Sequence, residues 1–365
     1  MWRCTKFGLV GNVVVVFVCS AGMSARGAQY SVTDLGTLGG ASSVADAINS
    51  NGAIVGEAAL AGGQLDAFLY TSDGMQDLGT LPVGAFSAAG GVNASGEIVG
   101  QSTGRTEYTH AFLYSSSNMQ DLGTLGGNSS CAYGINDGGQ IVGAASFSMA
   151  DPNQHAFLYS GSGMQDLGTL SGGSSSGATA INNNGEIVGV SEISGGKSHA
   201  FVYTGGSMQD LGTLPGGLNS QANAVNDSGH IVGNSDVSAG VQHAFLDVNG
   251  SLQDLGTLGG TNSGANGINS GDEVVGWSNT LSGDEHAAIF VGGSLEDLNA
   301  LVPANSGWGL QVATAVNDDG MIVGFGVNPL GQQHAFLLTP TPEAGTVLVL
   351  GVGGVGLLRR RRGGR

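Results

Sequence analysis

The sequence predicts an all-β fold: a seven-bladed β-propeller of four-stranded repeats, each about 44 residues long. Three observations carry this. A DLG motif starts at Asp34, Asp77, Asp121, Asp166, Asp210 and Asp254, with a degenerate DLNAL copy at Asp297, at intervals of 43, 44, 45, 44, 44 and 43 residues. In the same phase, an Asn follows an apolar pair at Asn49, Asn93, Asn136, Asn182, Asn226, Asn269 and Asn317. An Ile-Val-Gly or Val-Val-Gly ends at Gly56, Gly100, Gly143, Gly189, Gly233, Gly276 and Gly324. So regular a period means one supersecondary unit repeated in a stack or a ring.

Each repeat reads as four short strands. "TAINNNGEIVG" is a hairpin, because Asn opening the turn and Gly three residues later suit a tight reversal. Six of the seven copies keep that Gly, and Asn269 is followed instead by Ser270-Gly271-Asp272. The third strand carries His-Ala-Phe and alternates large and small residues with a period of two. It begins at His110, His155, His199, His243 and His334; the first blade has Asp66 there, and the copy at His286 reads His-Ala-Ala. A short loop then leads into "MQDLGTL", the fourth strand. No repeat shows a capped apolar pattern of helical period.

The strand count favours closure. The chain opens with one lone DLGTL strand, passes through six four-strand units and ends with three strands, twenty-eight in all. The strand at 30–38 therefore completes the blade formed by 312–339, the arrangement by which a ring removes its open edges. An open β-solenoid is the alternative, but its usual coil of about 20–30 residues fits this period poorly. Gly accounts for 68 of 365 residues and charged residues for 10%, against about 7% and 25% in ordinary domains. Small residues at IVG and DLG let neighbouring sheets approach, and 41% hydrophobic residues are enough for a core.

The termini are separate from the repeats, which occupy 28–340. Residues 1–27 read as a signal peptide: Arg3 and Lys6, an apolar run over 7–18, then small residues with Ala25-x-Gly27 before a cut at Ala28. Val18 before Cys19 fits a lipid-attachment box poorly. Cys4 and Cys19 leave with the signal, and Cys131 alone forms no intrachain disulfide. Residues 341–365 combine Pro342-Glu343, an apolar stretch of 14 residues over 345–358, and the cluster Arg359, Arg360, Arg361 and Arg362. As a helix that stretch is about 21 Å long against a bilayer core of about 30 Å. It is a short transmembrane segment that the arginines would hold at the cytoplasmic face.

This order resembles the PEP-CTERM sorting signal, which Gram-negative bacteria use with exosortase to cleave and export surface proteins. Ala344 stands where that signal has a second Pro. The resemblance implies exosortase-type machinery as a partner, transient association with the inner membrane, and a place at the cell surface or in the extracellular matrix. A plain C-terminal anchor is the alternative. Over 30–339 the chain resembles the HAF-repeat family of bacterial extracellular proteins, on His-Ala-Phe at His110, His155, His199, His243 and His334. That resemblance implies secretion and a repeat fold, and no defined activity.

Without its ends the chain is strongly acidic. Residues 28–340 hold 27 acidic residues against Arg105 and Lys197, a net charge of −25. This excludes nucleic acid and anionic membrane as partners and favours cations, cationic polymers or neutral glycans such as an extracellular polysaccharide. A plain role in solubility is the simpler explanation.

Candidate functional residues were weighed against structural roles. The six His residues, including His286, suggest a metal ring, but equivalent positions in different blades lie too far apart to share an ion. Each is expected to hydrogen-bond within its blade to the DLG Asp, which itself satisfies turn N–H groups. No cofactor is expected. The turn at 317–320 offers Asp318 and Asp319 to Ca²⁺, without the long alternating loop of a strong calcium motif. Trp277 and Trp308 are candidates for stacking on sugar, with packing between blades as the alternative. Apart from "ASFSMADPNQ" near Asp151-Pro152 and "LVPANSGWGLQVAT" before blade seven, the repeats depart little from one another. No nucleophile–base–oxyanion set, zinc spacing or phosphate loop stands out. The sequence therefore reads as an exported, non-catalytic propeller acting as a surface or matrix interaction protein. A carbohydrate-active lyase or glycosidase with acids at the channel mouth, and a Ca²⁺-dependent adhesion module, are the alternatives.

Overall fold

A computed structural model describes residues 30–104, 108–149 and 153–341. It contains seven four-stranded antiparallel sheets, each formed by consecutive strands except the last, in which Tyr30–Asp34 lies beside Gln333–Pro340. Tyr30 is opposite Pro340 and Asp34 opposite Phe336. The first strand of each blade touches the first strand of the next, and blade seven touches blade one. The chain is a closed seven-bladed propeller. Among the described residues the helical content is a single 3-10 turn, Leu298–Ala300, capped by Asp297 in the degenerate DLNAL copy.

The core lies between blades. Ile54 and Phe68 pack with Val323 and Ala335 of blade seven, whereas the adjacent Val55 and Ala67 pack with Ile98 and Phe112 of blade two. Ile-Val and Ala-Phe thus face opposite neighbours, so these strands are buried on both sides. Six Phe residues of the HAF motif are fully buried. The Gly of Ile-Val-Gly is required by close approach: a Cβ at Gly56 would collide with the carbonyl of Val44 on the inner strand.

The seam matches the other interfaces. Leu35 N–H donates to the Ala335 carbonyl at 3.1 Å, as Leu78 does to Ala67 at 2.9 Å. Ala335 N–H donates to Ser43 Oγ at 2.9 Å, the contact Ala67 makes with Ser87 at 2.8 Å. Of the four apolar residues expected to bury the closing segment, Tyr30 and Leu35 are buried, while Val32 and Leu38 are half-buried. Burial of Tyr30, with Glu273 and Glu296 nearby, pushes its phenol up to about 12.

Candidate functional site

The repeated polar residues are engaged by the fold. Nδ1 of His110, His155, His199, His243, His286 and His334 lies 2.7–3.0 Å from the carboxylate of Asp121, Asp166, Asp210, Asp254, Asp297 and Asp34, respectively. The same Asp accepts the N–H two residues on, as from Gly79 to Asp77 at 2.7 Å. Gly79 sits at φ 70° there, a conformation that favours Gly. Burial pushes the Asp34 carboxyl up, but hydrogen bonds from Gly36, His334 and Asn328 outweigh this and leave it below its ordinary value. Blade one is the exception: Asp66 replaces the His and faces Asp77, and burial together with that second carboxylate raises its pKa.

The seven turn Asn residues form a closed ring around one mouth of the channel. Nδ2 of Asn49 donates to the Asn93 carbonyl at 2.9 Å, and each Asn repeats this toward the next blade until Asn317 returns to Asn49 at 3.2 Å. Oδ1 of most of these residues also accepts turn N–H groups; Asn49 takes those of Asn51 and Ala53. Asp272, where the other copies have Gly, holds φ 61° and accepts bonds from Asn226 and His230.

The inner strand of every blade carries a bulge three residues before the Asn of the ring. The bulged residues are Asp46, Gly90, Tyr133, Thr179, Asn223, Asn266 and Thr314. In four blades this side chain bonds to the next blade: Thr179 to Ala222, Asn223 to Ala265, Asn266 to Ala313 and Thr314 to Ala45, at 2.7–2.9 Å. Asp46 occupies the same position in blade one but is a carboxylate, with a proton to donate only when neutral. The residue after Ile-Val-Gly also differs from blade to blade: Glu57, Gln101, Ala144, Val190, Asn234, Trp277 and Phe325. Against a constant frame, these two positions make the channel asymmetric.

On one side they enclose a cavity of about 900 Å³, lined from the inner strands of five successive blades and away from the Asn ring. Its polar lining includes Asp46, Glu57, Gln101, Tyr133, Gln154 and Gln221. Asp46 is half-buried, and desolvation, followed by the charge of Glu57, pushes its carboxyl up to about 7. Burial also raises Glu57. No hydrogen bond to either carboxylate contributes to these shifts. The Cys131 thiol donates to Gln101 Oε1 at 2.8 Å, which leaves the Gln101 amide N–H groups to face a ligand. The cavity brings Asp46 and Glu57 together among neutral amides, with Glu192 also in its lining but bonded to Ser174, a surface suited to a polar ligand rather than an apolar one.

No family model and no curated protein matches the chain. Solved structures do match, a β-propeller domain among them. The β-propeller domain of the Trilobed protease from Pyrococcus furiosus, which has an open velcro topology, is 8% identical with a TM-score of 0.53, over 81% of this chain and 93% of that one. A gluconolactonase from Xanthomonas campestris is 11% identical with a TM-score of 0.42, over 87% and 93%. TolB from Acinetobacter baumannii is 13% identical with a TM-score of 0.43, over 82% of this chain and 63% of its own. At 8% identity the likeness to the Trilobed protease domain shows the fold alone.

The residues singled out from sequence are dispersed. The Trp277 indole lies against Gly264 on the strand beside it. Trp308 is half-buried, its ring 6.2 Å from that of Phe336 in an edge-on contact. Asp318 rims the Asn-ring mouth and accepts the Ser270 N–H at 2.9 Å, while Asp319 N–H donates to Asn317. Among the described residues, no group of three His, Cys, Asp or Glu side chains converges as a metal site. The segments expected to be a signal peptide and a sorting motif, residues 1–27 and Pro342 to Arg362, and the loop at Asp151-Pro152 lie outside the described residues. Asp46, Glu57 and Gln101 were not singled out from sequence. The signal that finds them is their departure from the other repeats at the first x of the constant Ala-x-x-apolar-Asn frame and at the residue directly after Ile-Val-Gly.

Proposed function

We propose that the chain is an exported, non-catalytic propeller that binds an extracellular polysaccharide in its central channel. One observation carries the reading: the repeated His, Asp and Asn residues are tied up within and between blades, whereas the unpartnered Asp46 and Glu57 gather in one polar cavity. A cavity of that size suits a few sugar residues. Export rests on the two terminal segments, with exosortase-type processing and a transient hold on the inner membrane of a Gram-negative cell. Intact-mass analysis of surface-extracted protein tests it: loss of residues beyond about 343 is expected, and an intact C-terminus supports a permanent anchor. Channel binding is tested with a Gly177→Phe variant. A side chain at Gly177 meets only Ala144 at ordinary contact distance and projects at the cavity. The native chain should retain a polysaccharide that the variant releases, with unchanged circular dichroism; equal retention refutes the channel as the site.

A second reading is favoured by the Asp46 carboxyl at about 7. A buried acid still protonated near neutral pH, beside a second carboxylate, is the arrangement of a general acid in glycoside cleavage. Product release from a polysaccharide, abolished by Asp46→Asn, would establish this reading over simple binding.

A further inference from the structure

We propose that the Asp46–Glu57 pair is a subsite for a protonated primary amine, and that the ligand entering the channel is an amino sugar with free amines, a glucosamine-type oligomer. This deepens the channel-binding reading and rests on it.

Asp46 and Glu57 line the same cavity, the Glu57 charge raises the proton affinity of Asp46, and a cation between the two carboxylates relieves that repulsion. The lining contains no Lys, Arg or His. Lys197 is the sole Lys or Arg among the described residues and lies outside the lining, so no described cation of the protein neutralises the pair. The missing positive charge is therefore a property of the ligand.

The choice between an amine and a metal follows from the donor count. Ca²⁺ takes six to eight oxygens, whereas among the described residues no three His, Cys, Asp or Glu side chains converge to hold a metal, and Glu192 is engaged by Ser174. An ammonium group has three N–H donors and no acceptor, which two carboxylates and one neutral acceptor satisfy. Glu192 also lines the cavity, but its carboxylate accepts from the Ser174 hydroxyl; the rest of the lining is hydrogen-bonding and uncharged, including the Gln101 N–H groups, Gln154, Gln221 and Tyr133. Such groups suit hydroxyls and a sugar face, not a lipid or an apolar peptide. The net charge of −25 over the repeats would also concentrate a cationic polymer at the surface.

The test is calorimetry on the full mature chain with a glucosamine tetramer, its fully N-acetylated counterpart and a neutral glucose tetramer, at physiological ionic strength. The same titrations are run on Asp46→Asn, Glu57→Gln and the double variant. These isosteric changes remove charge without volume, and melting curves check the fold. The free-amine tetramer should bind at least about tenfold more tightly than the acetylated one, and the double variant should lose that preference while still binding the neutral sugars. Equal affinity for all three sugars, abolished by Gly177→Phe, would overturn the amine subsite and leave channel binding standing. Binding by none would overturn both. An amine preference that survives in the double variant would place recognition on the acidic surface and refute the subsite. Displacement of the tetramer by micromolar Ca²⁺ would assign the pair to a metal instead.

Discussion

Replacing Asp46 with Asn isolates the least settled charge in the molecule. The folded protein holds the Asp46 proton up to about pH 7, whereas an unfolded Asp releases it near pH 4. Between those values the folded state carries a proton that the unfolded chain has lost, so stability falls as pH rises and the loss is complete above the folded pKa. A shift of about three units corresponds to about 4 kcal/mol as an upper bound, and contact with channel water reduces it to about 2 kcal/mol. Glu57, the charged group facing Asp46, shifts in the same direction and contributes a smaller part. Asn removes the titration and supplies a permanent donor at the position from which Asn223 and Asn266 reach the next blade. Denaturation from about pH 4 to pH 8 should therefore show variant and parent nearly equal in acid and the variant more stable by about 2–4 kcal/mol in base. Other carboxylates titrate in both proteins, so the difference between the two is the quantity to read. A difference that does not change with pH would refute the claim that Asp46 is desolvated and coupled to Glu57.

Three further outcomes follow from the same frame. Asp66→His should rebuild in blade one the pair present in the other six, replacing a repulsive carboxylate contact with Asp77, and should raise stability at neutral pH by about 1 kcal/mol; no rise in melting temperature would contradict the pairing. Asn182→Ala removes the bonds to Asn226, Asn184 and Glu186 and should cost about 2–3 kcal/mol in chemical denaturation. A cost within error would mean the Asn ring does not hold the blades. A chain beginning at residue 40 loses the buried Tyr30 and Leu35, at about 1.5–3 kcal/mol each, and exposes the strand Gln333–Pro340. It should melt earlier and self-associate on sizing columns, whereas a chain beginning at residue 28 stays monomeric; identical behaviour would refute ring closure.

The fold was legible because a propeller repeats its structural requirements. Each blade needs the same close-approach Gly, the same Asx turn and the same split of Ile from Val and of Ala from Phe between two interfaces. The lone DLGTL strand at Asp34 therefore counted as the missing member of the last blade. The His–Asp pairing was readable for the same reason, since both residues recur at constant separation. The channel was not. Its lining comes from the residues that do not repeat, and the bulge between Ala45 and Ala47 breaks the two-residue alternation, so a strand pattern misassigns the face of Asp46. Glu57 likewise follows a constant Gly and gives no motif of its own. Trp308 stands out in the long connection before blade seven and Trp277 directly after Gly276; their rings lie against Phe336 and Gly264, respectively. The Ser residues that bridge successive blades, such as Ser87 and Ser130, also went unread, because a single hydroxyl in a strand is too common a feature to mark an interface.

The central claim is that the ligand enters the channel on the side of Asp46 and Glu57. A crystal structure of the mature chain soaked with glucosamine tetramer tests this most directly. The account predicts sugar density within the cavity, an amine nitrogen within hydrogen-bonding distance of both carboxylates and a ring near Tyr133. Density confined to the outer rim, to Trp308 or to the Asn-ring mouth, with the cavity free of sugar, would contradict it.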